Sequence, residues 1–300
     1  MRITQKAVAQ TALLGLNRNL TELGKLQQQL TSGKVVSKPS DSPTGVNRAM
    51  QIRQDQAAVT QQARNISDAQ GWLDTTDTTL RTMSAQVQRV RDLTVQASNE
   101  GALSESGRSA VTTELREIRK SLIGLANTSV DGRPLFGGVT TGDRAYADDG
   151  SYVGVGGADG IPVVPTTRRI ADGEDVRIDV TGSEAFGDPA GVDLFALVGK
   201  IADDVDGDPA ALGGDLEALD ASLKRLLTGL STIGARAARV ESAAQTNSDV
   251  QLSLSRQLAD VEDVDLPKTI MQLQFQQTGY QAALSATSQV IQPSLVDFLR

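Results

Sequence analysis

Residues 212–261 read "LGGDLEALDASLKRLLTGLSTIGARAARVESAAQTNSDVQLSLSRQLADV". Leu212, Leu216, Leu219, Leu223, Leu226, Leu230, Ile233, Ala237, Val240, Ala244, Asn247, Gln251, Leu254, Leu258 and Val261 alternate spacings of four and three without a slip. That is a heptad stripe, and only Asn247 and Gln251 in it are polar. A helix of this length reaches roughly 75 Å at about 1.5 Å per residue, which makes it a rod that needs an apolar partner along its length.

Downstream, "DVDLPK" at 263–268 breaks the helix at Pro267. A last helix follows, with Ile270, Leu273, Gln277, Tyr280, Leu284, Thr287 and Ile291 on one stripe. The segment 269–296 contains no Asp, Glu, Lys or Arg, and has Gln at 272, 274, 276, 277, 281, 289 and 292. A surface helix normally carries charge on its wet face. A helix buried among many like chains does better without charge, because each unpaired buried charge costs several kcal/mol. Gln and Ser can instead bond to whatever neighbour arrives, and small residues permit close approach. A dimeric coiled coil and a membrane-active helix are weaker alternatives; the second lacks the basic face it would need.

Upstream the pattern mirrors itself. Ala9, Leu13, Leu16, Leu20, Leu23, Gln27 and Leu30 form an N-terminal seam that Gly33 ends. "SKPSDSPTG" follows, with Ser42 as N-cap and Pro43 at the first position of the next helix. Helices are expected over 44–73 and 75–98, the latter with Leu80, Met83, Val87, Val90, Thr94 and Ala97 inward. After a loop capped by Ser104, Val111, Leu115, Ile118, Leu122 and Leu125 mark another helix ending near "NTSVDGRP". From about 137 to 187 Gly, Asp and Pro become frequent, and "IPVVP" and "DVRIDV" read as short strands, the first held to an edge by its prolines. The expected fold is therefore mainly α with a small β-rich insert. It is a helical hairpin whose N- and C-terminal helices pair as a coiled coil, so that the break at 33–43 faces the break near 263–268. The expected domains are 1–43 with 264–300 (terminal coiled coil), 44–138 with 189–263 (helical rod) and 139–188 (outer β domain).

Composition narrows the function. Aromatics are 3% of 300 residues, too few for a large aromatic core. Net charge is −8, so no overall field attracts nucleic acid. The imbalance is local: residues 143–220 carry five bases against eighteen acids, net −13, while 1–142 come to +5 and 221–300 to zero. Without Cys or His there is no disulfide, thiolate or imidazole chemistry. No stretch approaches the ~20 apolar residues of a membrane span, and Gln10 and Thr11 interrupt the N-terminal apolar run, so neither membrane insertion nor a standard signal peptide is expected.

The chemical motifs are weak. Asp204, Asp206, Asp208 and Asp215 imitate a calcium loop, but Pro209 stands where Gly is needed and Asp215 where Glu belongs. "GVGGADG" (154–160) lacks a phosphate-binding lysine and a following helix. Arg168–Arg169 and Arg89/Arg91 read as surface or intersubunit ion pairs, and Trp72 as a packing anchor. Carboxylate pairs such as Asp74 and Asp77 have no pocket-building segment beside them. No catalytic, metal or cofactor site is expected.

Several stretches resemble the bacterial flagellin family: "LTSGKVVSKPSDSPTGVNRAM" (30–50), "VQRVRDLTVQASNEGALSESGRSAVTTELREI" (87–118), "LANTSVDGRPLFGG" (125–138), "IGARAARVESA" (233–243) and the whole ending from Leu258. The middle, "GVTTGDRAYADDGSYVGVGGADGIPVV" and "DVTGSEAFG", is similar to the hook–filament junction branch, the hook-associated protein 3 family. The family's Asp-Asp-Pro-Ala-Gly stands here as Asp41-Ser42-Pro43-Thr44-Gly45, and an Asn before its "R.E" motif is replaced by alanine. The resemblance implies a non-enzymatic structural subunit of the motility organelle, secreted through the flagellar type III export route and placed at the hook–filament junction. It implies as partners further copies of itself in a ring, the preceding hook-associated protein, flagellin, and an export chaperone on the C-terminal helix. A short flagellin that forms the filament itself, and a coiled-coil secretion factor that never polymerises, stay open. The expected assembly seam is Leu13, Leu16, Leu20, Leu23 and Leu30 with Ile270, Leu273, Tyr280, Leu284 and Ile291.

Overall fold

A computed structural model describes residues 5–99, 104–140, 142–155, 162–187 and 193–291. The chain divides into two compact units, residues 1–58 with 250–300 and residues 59–249. The helices α1 (Gln5–Ser32), α2 (Pro43–Ser98), α3 (Glu105–Ala126), α5 (Leu194–Gly207), α6 (Leu212–Glu262) and α7 (Leu266–Ile291) carry most of the fold, and a short α4 (Gly182–Phe186) lies in the insert.

In the larger unit the heptad stripe of α6 is read every seventh residue. Leu212, Leu219, Leu226, Ile233 and Val240 are fully buried, while Leu223, Leu230, Ala237 and Ala244 between them pack against the same core from its edge. At the next step Asn247 is also buried, and its side-chain amide donates to the Val59 carbonyl at 3.0 Å. A polar group in a seam is tolerable once bonded, and it fixes register. Facing this stripe are Leu80, Met83, Val87, Val90 and Ala97 of α2 and Val111, Leu115 and Leu122 of α3, all in one continuous core.

The sequence suggests a helix boundary near Asp74, but α2 runs unbroken for 56 residues. No proline or strained glycine interrupts it. The threonines that lower its helix propensity turn their hydroxyls inward: Thr75, Thr76, Thr79 and Thr82 each donate to the carbonyl four residues back at 2.8–2.9 Å. Helix starts are as the caps dictate. The Gly45 amide donates to Ser42 Oγ at 3.1 Å and the Gly107 amide to Ser104 Oγ at 3.2 Å.

The insert contains two hairpins. β1 (Ser129–Val130) and β2 (Arg133–Pro134) turn through Asp131-Gly132, both at positive φ, the geometry of a two-residue hairpin loop. This hairpin precedes the stretch that the sequence pattern marks as β-rich. β3 (Thr167–Ala171) pairs antiparallel with β4 (Glu174–Arg177) around Gly173. Residues 162–165 of "IPVVP" form no strand, since Pro162 and Pro165 each lack the amide that a ladder needs; Ile161 lies outside the described residues. Asn127, just past α3, accepts from the Ala145 and Tyr146 amides and donates to the Tyr146 carbonyl, imitating a strand with its side chain. Scarce aromatics are concentrated here. Phe136, Tyr146, Tyr152, Phe186 and Phe195 pack with ring centroids 4.7–5.9 Å apart, mostly edge to face.

In the smaller unit the two chain breaks meet, as the mirrored layout implies. Lys34 bridges Asp263, the Val35 amide donates to the Glu262 carbonyl at 2.7 Å, and the Val264 amide donates to the Gly33 carbonyl at 3.0 Å. Gly33 takes a positive φ of 71° to end α1. The buried Glu262 carboxylate is held by Lys34 at 2.9 Å and Arg53 at 2.6 Å.

Two stability predictions follow from burial. Leu226 is 1% exposed and its neighbour Leu227 is 47% exposed. Leu226→Ala is expected to cost about 2–5 kcal/mol in denaturant unfolding, and Leu227→Ala within about 1 kcal/mol. Asp193 caps α5 by accepting from the Ala196 amide, but its second oxygen is buried without a partner. Burial pushes its carboxyl up to about 6, against the backbone amides of α5 and the charge of Arg119, which favour the anion. The folded chain therefore holds this proton more tightly than the unfolded one. Its contribution is fully present below the ordinary value of 3.8 and is lost as pH rises through about 6. Asp193→Asn keeps the cap, and is expected to add about 1–3 kcal/mol at pH 7 and to flatten the stability slope between those two values. An unchanged slope in thermal unfolding would contradict this assignment.

Candidate assembly interface

α1 and α7 pack along one another in the smaller unit. Their inward residues differ from the expected stripes in a regular way. On α1 they are Ala12, Leu16, Asn19, Leu23, Leu26 and Leu30; on α7 they are Thr269, Leu273, Gln276, Tyr280, Ala283 and Thr287. One column of each stripe is shared with the expectation, namely Leu16, Leu23 and Leu30 with Leu273, Tyr280 and Thr287. The other column moves back by one residue on both helices.

This shift trades large aliphatics for small and polar residues. Asn19 and Gln276 enter the seam and bond to each other at 3.2 Å, and Thr269 is 6% exposed. Leu13 (53% exposed), Leu20 (54%), Ile270 (46%) and Leu284 (43%) are left outside. Met271 and Phe275 stand out further, at 67% and 79%, and line a groove of about 580 Å³ with Glu22 and Leu26. Of the expected seam residues, the structure thus brings Leu16, Leu23, Leu30, Leu273 and Tyr280 together and leaves Leu13, Leu20, Ile270 and Leu284 facing away. Ile291 closes α7, and its side chain lies outside the described residues, as does that of Ala9.

Exposed apolar side chains on this scale are candidates for contact with another protein surface. α7 offers them with only Lys268 charged among its 26 residues, so a neighbour can approach without desolvating ions. The seam residues missed in the sequence carry a faint signal. Ala12, Asn19 and Leu26 repeat at seven, as do Thr269, Gln276 and Ala283, but of the six only Leu26 is a large aliphatic. Glu262 was likewise unmarked, because its partners Lys34 and Arg53 are more than two hundred residues away in sequence.

Elsewhere the charged motifs are paired within the chain. Arg168 bonds Asp68 at 2.5 Å, Arg89 bonds Glu114 and Arg91 bonds Asp220 at 2.7 Å. Lys200 sits between Asp204 and Asp215, at 2.7 and 2.6 Å, occupying two of the carboxylates that imitate a calcium loop. Asp77 pairs with Arg81 at 2.6 Å. Trp72 is buried, with the Arg133 guanidinium 5.5 Å from its ring. Residues 156–160 of the glycine-rich stretch lie outside the described residues. Among the described residues no helix is long and apolar enough to cross a membrane.

Comparison with known proteins agrees with this geometry. The bacterial flagellin N-terminal helical region matches residues 3–141, and the bacterial flagellin C-terminal helical region matches residues 216–299. The flagellar hook-associated protein 3 of Escherichia coli K12 is 30% identical over 95% of this chain and 96% of its own length. That of Salmonella typhimurium is 26% identical over 94% and 95%. The fold is similar to that of the flagellar junction protein FlgL from Legionella pneumophila, with a TM-score of 0.58 and 15% identity over 72% of this chain and 99% of that one. The relatives are structural flagellar proteins. Two matched terminal regions, and a likeness to the E. coli protein that runs nearly end to end, establish that this chain belongs to the bacterial flagellin family and, within it, to the flagellar hook-associated protein 3 family.

Proposed function

We infer that this chain is a structural subunit of the bacterial flagellum that joins the hook, through the preceding hook-associated protein, to the flagellin filament. Its work is mechanical, and no reaction is catalysed. The observation that carries the reading is the sidedness of the α1–α7 pair. The intramolecular seam closes on small and polar residues, and Leu13, Leu20, Ile270 and Leu284 remain for neighbours. A ring of copies set in a helical tube would cover them, each copy offering a different face to the next. In the larger unit most large apolar residues are already spent in one internal core. Ile291 belongs to the same assembly surface in this reading. Flagellin would take the filament-side contacts, and an export chaperone would shield α7 before secretion.

Leu20→Asp and Leu284→Asp test the reading, since both positions are exposed in the free chain. Each variant is expected to keep the circular dichroism and thermal midpoint of the parent. Each should lose at least about tenfold in incorporation into complexes with the hook-side partner, because an aspartate buried between copies costs several kcal/mol. Normal incorporation of both variants would refute the assembly surface. Elongation of the parent chain without limit from filament seeds would instead identify a flagellin, and a fixed small oligomer that never joins the hook partner would identify a secretion factor.

A further inference from the structure

The larger unit has a second surface feature, independent of the terminal helices. β4, the loop after it, α4 and the middle of α6 border a groove of about 440 Å³. Arg177, Lys224, Arg225 and Arg236 line it, with Glu184 as the single acid among its lining residues. The chain as a whole is acidic, so this is a local reversal. The floor is apolar or bare: Val180, Ala221 and Gly229. Gly229 sits inside a helix, where glycine costs about 1 kcal/mol relative to alanine, yet a Cβ added there would meet nothing within 4 Å. No packing within the chain requires that glycine.

The cations converge without full compensation. Arg177 is spoken for, by Asp179 at 2.8 Å and Glu184 at 2.7 Å. Arg236 donates to the Asp179 backbone carbonyl at 2.8 Å, and burial, with the charge of Arg177 second, holds its guanidinium below its ordinary value. Lys224 is exposed and has no ion pair among the described residues. An anion entering the groove would therefore meet the exposed Lys224 ammonium beside three guanidinium groups, above a floor that admits side chains.

The same unit carries the complement. Where α5 gives way to α6, Asp206 and Asp208 are exposed at the turn, and neither has an ion pair among the described residues. Their neighbours Asp203 and Asp204 are engaged by Arg116 and Lys200. The turn leads directly into Leu212, whereas the groove centres near Thr228, about 24 Å further along α6 at about 1.5 Å per residue. One copy cannot bring its own turn into its own groove. We propose that the basic groove receives the Asp206–Asp208 turn of a second copy of this chain, in a head-to-tail contact that staggers adjacent copies by about 24 Å along α6. Charge complementarity sets the register here, while the terminal helices supply the apolar area. This contact rests on the self-assembly inferred above, and deepens it by naming a second, electrostatic interface.

The absence of cysteine makes the test clean. A chain carrying both Asp206→Cys and Thr228→Cys should give an oligomer ladder when assembled flagella are oxidised, because a disulfide needs Cα atoms within about 7 Å and the intramolecular pair is far beyond that. Each single-cysteine chain should give no ladder. In the cysteine-free chain, Lys224→Asp should cut incorporation at least about tenfold, and adding Asp208→Lys to the same chain should restore it to within about twofold. Gly229→Gln, which meets no steric barrier in the free chain, should also cut incorporation while leaving thermal stability unchanged. Normal junctions without a ladder would overturn the contact and leave the assembly reading intact. A disulfide-linked dimer from a single-cysteine chain would show a like-to-like contact instead. Loss with Lys224→Asp that no reversal at Asp206 or Asp208 rescues would assign the groove to another acidic partner. Failure of the parent chain to join any assembly would remove the underlying reading first.

Discussion

The smaller unit depends on what is allowed into the seam between α1 and α7. A coiled-coil pair normally buries its largest aliphatics first, because each contributes about 1.5–3 kcal/mol on removal from water. Here half of that capacity is withheld. Asn19 and Gln276 occupy a central layer and share one hydrogen bond, and Thr269 and Ala283 fill positions that Ile270 and Leu284 could have taken. The pair is held with less than its full apolar area, and the remainder faces outward. In the proposed reading, stability of the isolated subunit is exchanged for affinity between subunits.

The larger unit shows the opposite economy. Every seventh residue of α6 from Leu212 to Val240 is completely buried, and the facing residues of α2 and α3 leave no apolar stripe over. Many of its cations are tied to acids within the unit, as at Arg89–Glu114, Arg91–Asp220 and Arg168–Asp68. These exposed pairs contribute little stability each, commonly below about 1 kcal/mol, but they leave few charges unanswered. Between the two regimes, Lys34, Arg53 and Glu262 fasten the point where both chain breaks meet, within the smaller unit.

Periodicity made the helices, their caps and the meeting of the two breaks legible in the sequence. A four-three alternation reports which residues share a stripe, but two adjacent stripes on one helix differ by a single-residue step. Leu13 and Ala12, or Leu284 and Ala283, are equally compatible with Leu16 or Tyr280 as neighbours. Hydrophobicity favours the larger member, and the structure takes the smaller because close approach and the Asn19–Gln276 bond decide the packing. The apparent boundary at Asp74 was misleading for a related reason: threonine clusters lower helix propensity, yet inside a long helix their hydroxyls find carbonyls one turn back. The hairpin through Asp131-Gly132 had an explicit turn signal. The aromatic cluster had none, since Phe136, Tyr146, Tyr152, Phe186 and Phe195 come together only through the loops of the insert.

The uncharged stretch 269–296 bears on the medium in which such an organelle operates. Acidic, basic and histidine side chains are all missing from it, so nothing there gains or loses a proton between mild acid and mild alkali, and no counterion atmosphere has to be displaced when copies close around it. Contacts built from its leucines, glutamines and small residues should hold alike in fresh water and in brine. A fibre exposed to whatever surrounds the cell would keep contacts made through this stretch indifferent to that chemistry.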